Sequence, residues 1–171
     1  GAVSCVGNDA ASFWESLKQG KSGIARITAF DPTPLSTHIA GEAKEFTFDT
    51  KMGKRMDRFA QFAMSSAQQA LAQAGLLPES AGAAALNPER FGVAVGTGIG
   101  GEPFLEQQPA KFLERGPGRF HPLTVPIVIA NMASANISIH YKLTGPNLCI
   151  STACATGNHN IGIAYDIIRL G

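Results

Sequence analysis

Asn147-Leu-Cys-Ile-Ser-Thr-Ala-Cys154-Ala-Thr-Gly-Asn-His-Asn-Ile-Gly162 joins two kinds of segment. Asn147–Thr152 is a short, mostly apolar run that reads as a strand, and Ala155–Leu170 reads as a helix closed by Gly171. Cys154 falls on the junction. The first N–H groups of a helix have no partner inside it, and the positive end of the helix dipole lies there. Both favour thiolate over thiol, and the thiolate is the nucleophile. Ala153, Ala155 and Gly157 are small enough for a tight turn and for close approach of a substrate. The arrangement matches a nucleophile elbow in which sulfur replaces the serine oxygen. The same N–H groups suit the oxyanion formed when a thioester carbonyl is attacked. The residues alone leave a second reading open, in which Cys154 is a small buried hydrophobe. Cys149, in mid-strand, and Cys5, near the terminus, lack this context and read as structural.

Upstream of the junction, strands and helices alternate. A first helix is expected over Asp9–Gln19, capped by Asn8 or Asp9, with Ala10, Phe13, Trp14 and Leu17 on one face. Ala29–Phe48 reads as loop with a short strand. A long helix is expected from Arg55 to Ala74, with Met56, Phe59, Ala63, Ala67, Ala70 and Leu71 as its apolar stripe and Gly75 as its stop. Pro78–Pro88 reads as connection and Phe91–Val95 as a buried strand. Pro103–Arg115 reads as a helix broken by Pro109. After a loop over Gly116–Pro122, one helix is expected from Thr124 to Tyr141, with Pro126 tolerated in its first turn. Leu143-Thr-Gly-Pro146 is a turn. The alternation gives an α/β class with a mainly parallel sheet.

Composition sets outer limits. The chain has 171 residues, 44% hydrophobic and 16% charged, with a net charge of +1. That apolar content argues against disorder, and the near-neutral charge gives no global field for nucleic acid. No apolar run reaches the length of a membrane helix. The first residues lack the basic start and apolar core of a signal peptide. Three cysteines without zinc-ribbon spacing argue against a disulfide framework or a metal site and favour a reducing compartment.

Gly96-Thr-Gly-Ile-Gly-Gly101 matches the letters of a dinucleotide fingerprint after a strand. Pro103 follows at once, and no acidic residue closes a clear second strand about twenty residues on, so nucleotide binding is rejected. No lysine follows as in a phosphate loop. The glycines read instead as places where backbone passes close to another segment, and Ile99 among them suits an apolar pocket. The histidines offer Cys154 no evident base. His159 lies five residues along the same helix, about 140° away around its axis. His38 and His121 are in loops, and His140 ends a helix.

Ser151–Gly162 resembles the active-site motif of the β-ketoacyl-acyl-carrier-protein synthases, and most closely that of the elongating type II enzymes of fatty acid synthesis. Gly1–Gly7, Lys54-Arg-Met-Asp-Arg-Phe59, Gly96–Gly101, Pro126–Met132 and Leu143–Pro146 agree in the expected order. The resemblance implies a thiolase-like fold, of which residues 1–171 would be an incomplete N-terminal domain: a mixed, largely parallel sheet with helices on both faces. The first strand and the C-terminal half, with the family's catalytic histidines, would lie outside the chain. It implies that Cys154 is acylated from acyl carrier protein, and that decarboxylative condensation with malonyl carrier follows. Ile99, Gly98 and Ala153 would line the acyl site, and the Cys154 N–H would serve the oxyanion. Lys51, Lys54 and Arg55 would dock the acidic carrier. The residues alone make that last cluster a solvated helix start, although Lys51–Arg58 sets four cations against one acid, Asp57, a local +3. A homodimer, no cofactor, no nucleic acid, no membrane span, and a cytoplasmic or organellar (matrix or stroma) location complete the expectation. The rivals are a type I elongating synthase, a polyketide ketosynthase, a poorly fitting thiolase and a non-catalytic heterodimer partner. A polyketide enzyme usually carries serines after the cysteine, where this chain has Ala155-Thr-Gly157. The partner usually loses the cysteine.

Overall fold

The computed structural model describes residues 1–48, 51–80, 82 and 86–171. Helix α1 spans Ala10–Lys18. Asp9 caps it, accepting from the Ser12 N–H and the Ser12 hydroxyl, each at 2.8 Å. Its expected apolar face stays largely uncovered, with Trp14 and Leu17 exposed. Strands β1 (Ile24–Arg26) and β2 (Ile39–Gly41) pair antiparallel. The strand in Ala29–Phe48 was expected, and its partner at Ile24–Arg26 was not, since three residues carry no readable alternation. Glu42 closes this hairpin by accepting from the Thr28 and Ala29 N–H groups and the Thr28 hydroxyl. Those bonds, with the Thr28 N–H foremost, hold its carboxyl down at about 2, and nearby Lys44 adds to them.

Helix α2 runs from Arg58 to Gln73, later than expected at its start. Residues 53–55 form a 3₁₀ turn, and Asp57 is the cap. Gly75 takes a left-handed φ of 68°. The Gly75 N–H reaches Ala72 O and the Leu76 N–H reaches Leu71 O, which closes the helix as a Schellman motif. The buried face is turned from the predicted stripe. Met56, Ala60, Met64 and Leu71 are buried, while Phe59, Ala63 and Ala67 pack at the margin. Val93 and Ile137 complete the core between α2 and α5 (Met132–Tyr141). The loop expected at Pro78–Pro88 lies partly outside the described residues.

Strands β3 (Val93–Ala94) and β4 (Asn147–Leu148) pair in parallel, in register Val93 with Asn147. The parallel pairing agrees with the expectation, but both strands are shorter. Among the described residues the sheets are this pair and the β1–β2 hairpin, not one largely parallel sheet. β4 stops because the N–H and C=O of Ile150 both go to the Asn160 side chain instead of a neighbouring strand. Helix α3 (Glu102–Arg115) passes through Pro109 without breaking. Pro109 is exposed, and the adjacent Gln108 is fully buried. Gln108 donates to Phe104 O and accepts from the His121 N–H, which anchors the turn that proline weakens.

The single helix expected over Thr124–Tyr141 is two, α4 (Thr124–Val128) and α5. Ile129 is extended, with φ −67° and ψ 140°. The Val128 carbonyl accepts from the Gly101 N–H at 2.9 Å, and Gly100 packs against it at φ 131°. The glycine segment therefore docks on the break. Helix α6 (Thr156–Leu170) closes the described structure, with Thr156 and Asn160 as its buried residues. No helix among the described residues is long and apolar enough to cross a membrane.

Candidate active site

The chain between β4 and α6 is held from three sides. Asn160, 3% exposed, accepts from the Ile150 N–H at 3.1 Å and donates to the carbonyls of Ile150 and Thr156, each at 2.8 Å. The Thr156 hydroxyl accepts from the Thr152 N–H at 2.9 Å. The Ser151 hydroxyl reaches Thr97 O at 2.8 Å and Gly98 O at 3.1 Å. Gly96 packs on the first of these contacts: a Cβ there would lie 2.7 Å from Asn160 Nδ2 and 2.8 Å from Thr156 Cγ2. The bland reading of the glycines, close passage of backbone, is what the geometry shows at Gly96, Gly100 and Gly101.

The held segment leads into a 3₁₀ turn at Ala153–Ala155 and then α6. Ala153 has φ 51°. An alanine in the left-handed region costs about 1–2 kcal/mol, and such strain persists where the surroundings fix the backbone. Cys154 follows, exposed and with a free thiol. Among the described residues its N–H has no hydrogen-bond partner, whereas the Ala155 N–H is taken by Thr152 O. Cys149 and Cys5 are free and half-buried. The buried-hydrophobe reading of Cys154 therefore fails within this chain, and the strand–cysteine–helix junction stands.

The structure brings Gly98 and Ala153 together: a Cβ on Gly98 would lie 3.7 Å from Ala153 Cα. Ile99 follows in the same bend and is 68% exposed. Lys51, Lys54 and Arg55 lie apart from this turn in the sequence and are exposed. They share a cleft of about 680 Å³ with Met52, Met56, Asn136 and Ile139. Arg58, counted with them in the sequence, turns away. Its guanidinium donates to Ala43 O and Phe46 O and sits over the Phe46 and Phe62 rings. Asp57 is buried and accepts from the Phe59 and Phe104 N–H groups. With Arg58 and Asp57 both removed, the exposed cluster still carries three cations.

His159 makes its hydrogen bond to another side chain: its Nδ1 lies 2.7 Å from Thr152 Oγ1. His38 contacts Leu35 O, His121 accepts from the Leu123 N–H, and His140 stands edge-on to Tyr141. None of these contacts involves the thiol. Sequence reasoning missed Asn160, Thr156 and Ser151. Thr156 and Asn160 are four apart on one helix face, but nothing in the sequence marks that face as the buried one.

The family model for the N-terminal domain of β-ketoacyl synthases matches residues 1–171. A 3-oxoacyl-(acyl-carrier-protein) synthase 2 from Synechocystis is 41% identical over 175 residues, covering 100% of this chain and 41% of the relative. The protein of the same name from Coxiella burnetii is 44% identical over 172 residues, covering 98% and 40%. Among solved structures, the ishigamide ketosynthase/chain length factor aligns with TM-score 0.84 and 26% identity over 100% of this chain and 43% of its own. A β-ketoacyl synthase from Burkholderia phymatum aligns with TM-score 0.77 and 23% identity, over 99% and 42%. A type II polyketide acyl-carrier protein in complex with its ketosynthase aligns with TM-score 0.72 and 18% identity, over 100% and 45%. At those last two identities the likeness is one of fold. The chain spans about two fifths of the length of the curated relatives it matches.

Proposed function

Because the chain belongs to the β-ketoacyl synthase family, with the thiolase-like fold of that family's N-terminal half, we propose that the complete protein is a 3-oxoacyl-acyl-carrier-protein synthase of fatty acid biosynthesis. The observation that carries the reading is the exposed Cys154 on a strained turn at the head of α6. The sulfur, as thiolate, attacks the thioester carbonyl of an acyl carrier. The C–S bond to Cys154 forms, and the negative charge passes to the carbonyl oxygen. The Cys154 N–H, unpaired among the described residues, points the reading to an oxyanion donor. Collapse expels the carrier thiolate, which takes a proton. Malonyl carrier then loses carbon dioxide, and its carbanion attacks the acyl-enzyme. A carbon–carbon bond forms, the Cys154 thiolate leaves, and the chain is two carbons longer. Groups that assist decarboxylation would come from sequence beyond residues 1–171, an N-terminal domain that is incomplete by itself.

Gly98, Ala153 and Ile99 form the wall of the acyl site in this reading, and the 3.7 Å approach of Gly98 to Ala153 supports it. The exposed Ile99 needs an apolar cover, which a homodimer partner supplies. Lys51, Lys54 and Arg55 dock the carrier: three exposed cations rim a cleft floored by Met52 and Met56, which suits an acidic protein with a long thioester arm. The work would take place in the cytoplasm or an organellar matrix or stroma.

Two measurements test this on the complete protein. Cys154→Ala abolishes transfer of an acyl group from acyl carrier, and iodoacetamide inactivates in step with labelling at Cys154; retained transfer would sink the assignment. Charge reversal at Lys54 and Arg55 raises KM for the acyl carrier about tenfold, leaves kcat close to the parent's and flattens the salt dependence. An unchanged KM removes the docking role. The rival reading within the same family is a polyketide ketosynthase. Product analysis separates them: a single 3-oxoacyl product supports the fatty acid reading, and an unreduced poly-β-keto chain supports the other.

A further inference from the structure

We infer that Asn160, acting with Thr156, is a positioning residue that sets the backbone carrying Cys154, and through it the rate of the acyl-transfer step. The inference rests on the reading of Cys154 as the acylated nucleophile. Ala153 and Cys154 lie between two segments that these side chains lock to one another. On the upstream side, Ile150 is gripped at both its N–H and its C=O by the Asn160 amide. Two residues later, the Thr152 N–H is taken by the Thr156 hydroxyl. On the downstream side, the Asn160 amide also holds the Thr156 carbonyl in the first turn of α6. The stretch from Ile150 to Thr156 is therefore bracketed by hydrogen bonds anchored on one helix face, with Cys154 inside it.

Both side chains are buried, and Gly96 covers them so closely that a Cβ would touch Asn160 Nδ2 and Thr156 Cγ2 below 3 Å. A carboxamide is the group this place requires. It offers one acceptor to an N–H and two donors to two carbonyls, and the structure uses all three. An aspartate would place negative charge against two carbonyl oxygens. The left-handed Ala153 is the product of this frame. Without the frame the alanine has no reason to stay there, and the backbone that carries Cys154 is released.

The test uses the complete protein with Thr156→Val, Thr156→Ser, Asn160→Ala and Asn160→Asp. Thr156→Val is the informative change, because it keeps the shape and removes one hydrogen bond, so the fold survives even where the Asn160 variants do not. Single-turnover acylation of Cys154 from acyl carrier slows about ten- to a hundredfold in Thr156→Val, while KM for the carrier stays within about twofold. Thr156→Ser restores the rate to within about threefold of the parent. A crystal structure of Thr156→Val shows Ala153 relaxed to a negative φ. Folded Thr156→Val that acylates at the parent rate, or that keeps the left-handed Ala153, overturns the inference and leaves the functional reading intact. A parent protein that takes no acyl group from the carrier overturns the functional reading instead, and the Ala153 conformation then judges the frame alone.

Discussion

Gly96 shows how one missing methyl group decides whether the turn that carries Cys154 can form. A Cβ there meets the Ile150 carbonyl, the Asn160 amide and the Thr156 methyl together, and two of those three contacts are with groups that cannot retreat. Gly96→Ala is expected to destabilise the protein by about 1–3 kcal/mol, and its acyl transfer should fall further than its folded fraction. Equal losses of transfer and folded fraction would contradict the role of Gly96 as the cover of that frame. Glu42 gives a prediction of a different kind. Its carboxyl is held at about 2, mainly by the Thr28 N–H, against an ordinary value of 4.5. The folded state thus favours the charged form. The contribution is complete above about 4.5 and is lost as the pH falls towards about 2. Chemical denaturation of Glu42→Gln should show a deficit near neutral pH that narrows through that window; a deficit independent of pH would show that packing, not charge, is what the residue supplies. Cys154 was legible in the sequence because its signal is local: an apolar run, a cysteine, small neighbours and a helix. Asn160 was not, because a mid-helix asparagine reads as a surface residue until the chain ten residues earlier is laid against it.

At the scale of elements, the boundaries that differed from expectation are those set by long-range hydrogen bonds. α4 and α5 part where the Gly101 N–H, 27 positions upstream, takes the Val128 carbonyl. β4 ends where Asn160 substitutes for a strand neighbour. α2 begins at Arg58 because Asp57 caps it, and the same carboxylate receives the Phe104 N–H at the start of α3. One buried side chain thereby ties two helices that no periodicity connects. Asp57→Ala should cost about 1–3 kcal/mol, combining a lost cap with an unsatisfied buried N–H. Asp57→Asn keeps one oxygen and should recover part of that loss. Thermal or denaturant unfolding of the three proteins checks the order, and an asparagine variant no better than alanine would mean that charge, not the number of acceptors, matters at this site. Met64, 2% exposed between α2 and α5, is the contrasting case, since apolar packing and not a hydrogen bond holds it there. Its truncation to alanine should cost about 2–5 kcal/mol.

Over the whole molecule, low charge and high apolar content fit a body whose surface is meant to be covered, and α6 shows where. Thr156 and Asn160 are its buried residues, while Ile168 and Leu170 are 82% and 80% exposed and Ile161 and Tyr165 are exposed beside them. A helix apolar on so much of its circumference belongs inside a larger body. α1 repeats the pattern with Trp14 and Leu17. The periodicity of α6 alone did not separate a covered face from an open one, since apolar residues fall all around it. Uncovered surface of this extent drives association. Sedimentation velocity of residues 1–171 expressed alone should therefore show concentration-dependent self-association. Ile168→Lys with Leu170→Lys should reduce it without altering the far-ultraviolet circular dichroism, because both side chains already lie outside the core. The same pair of lysines in the complete protein should have the opposite consequence and lower its yield of folded material, since charge would then be forced against the apolar cover. Tolerance of the lysines in both settings would show that α6 faces solvent throughout and that the missing cover lies elsewhere.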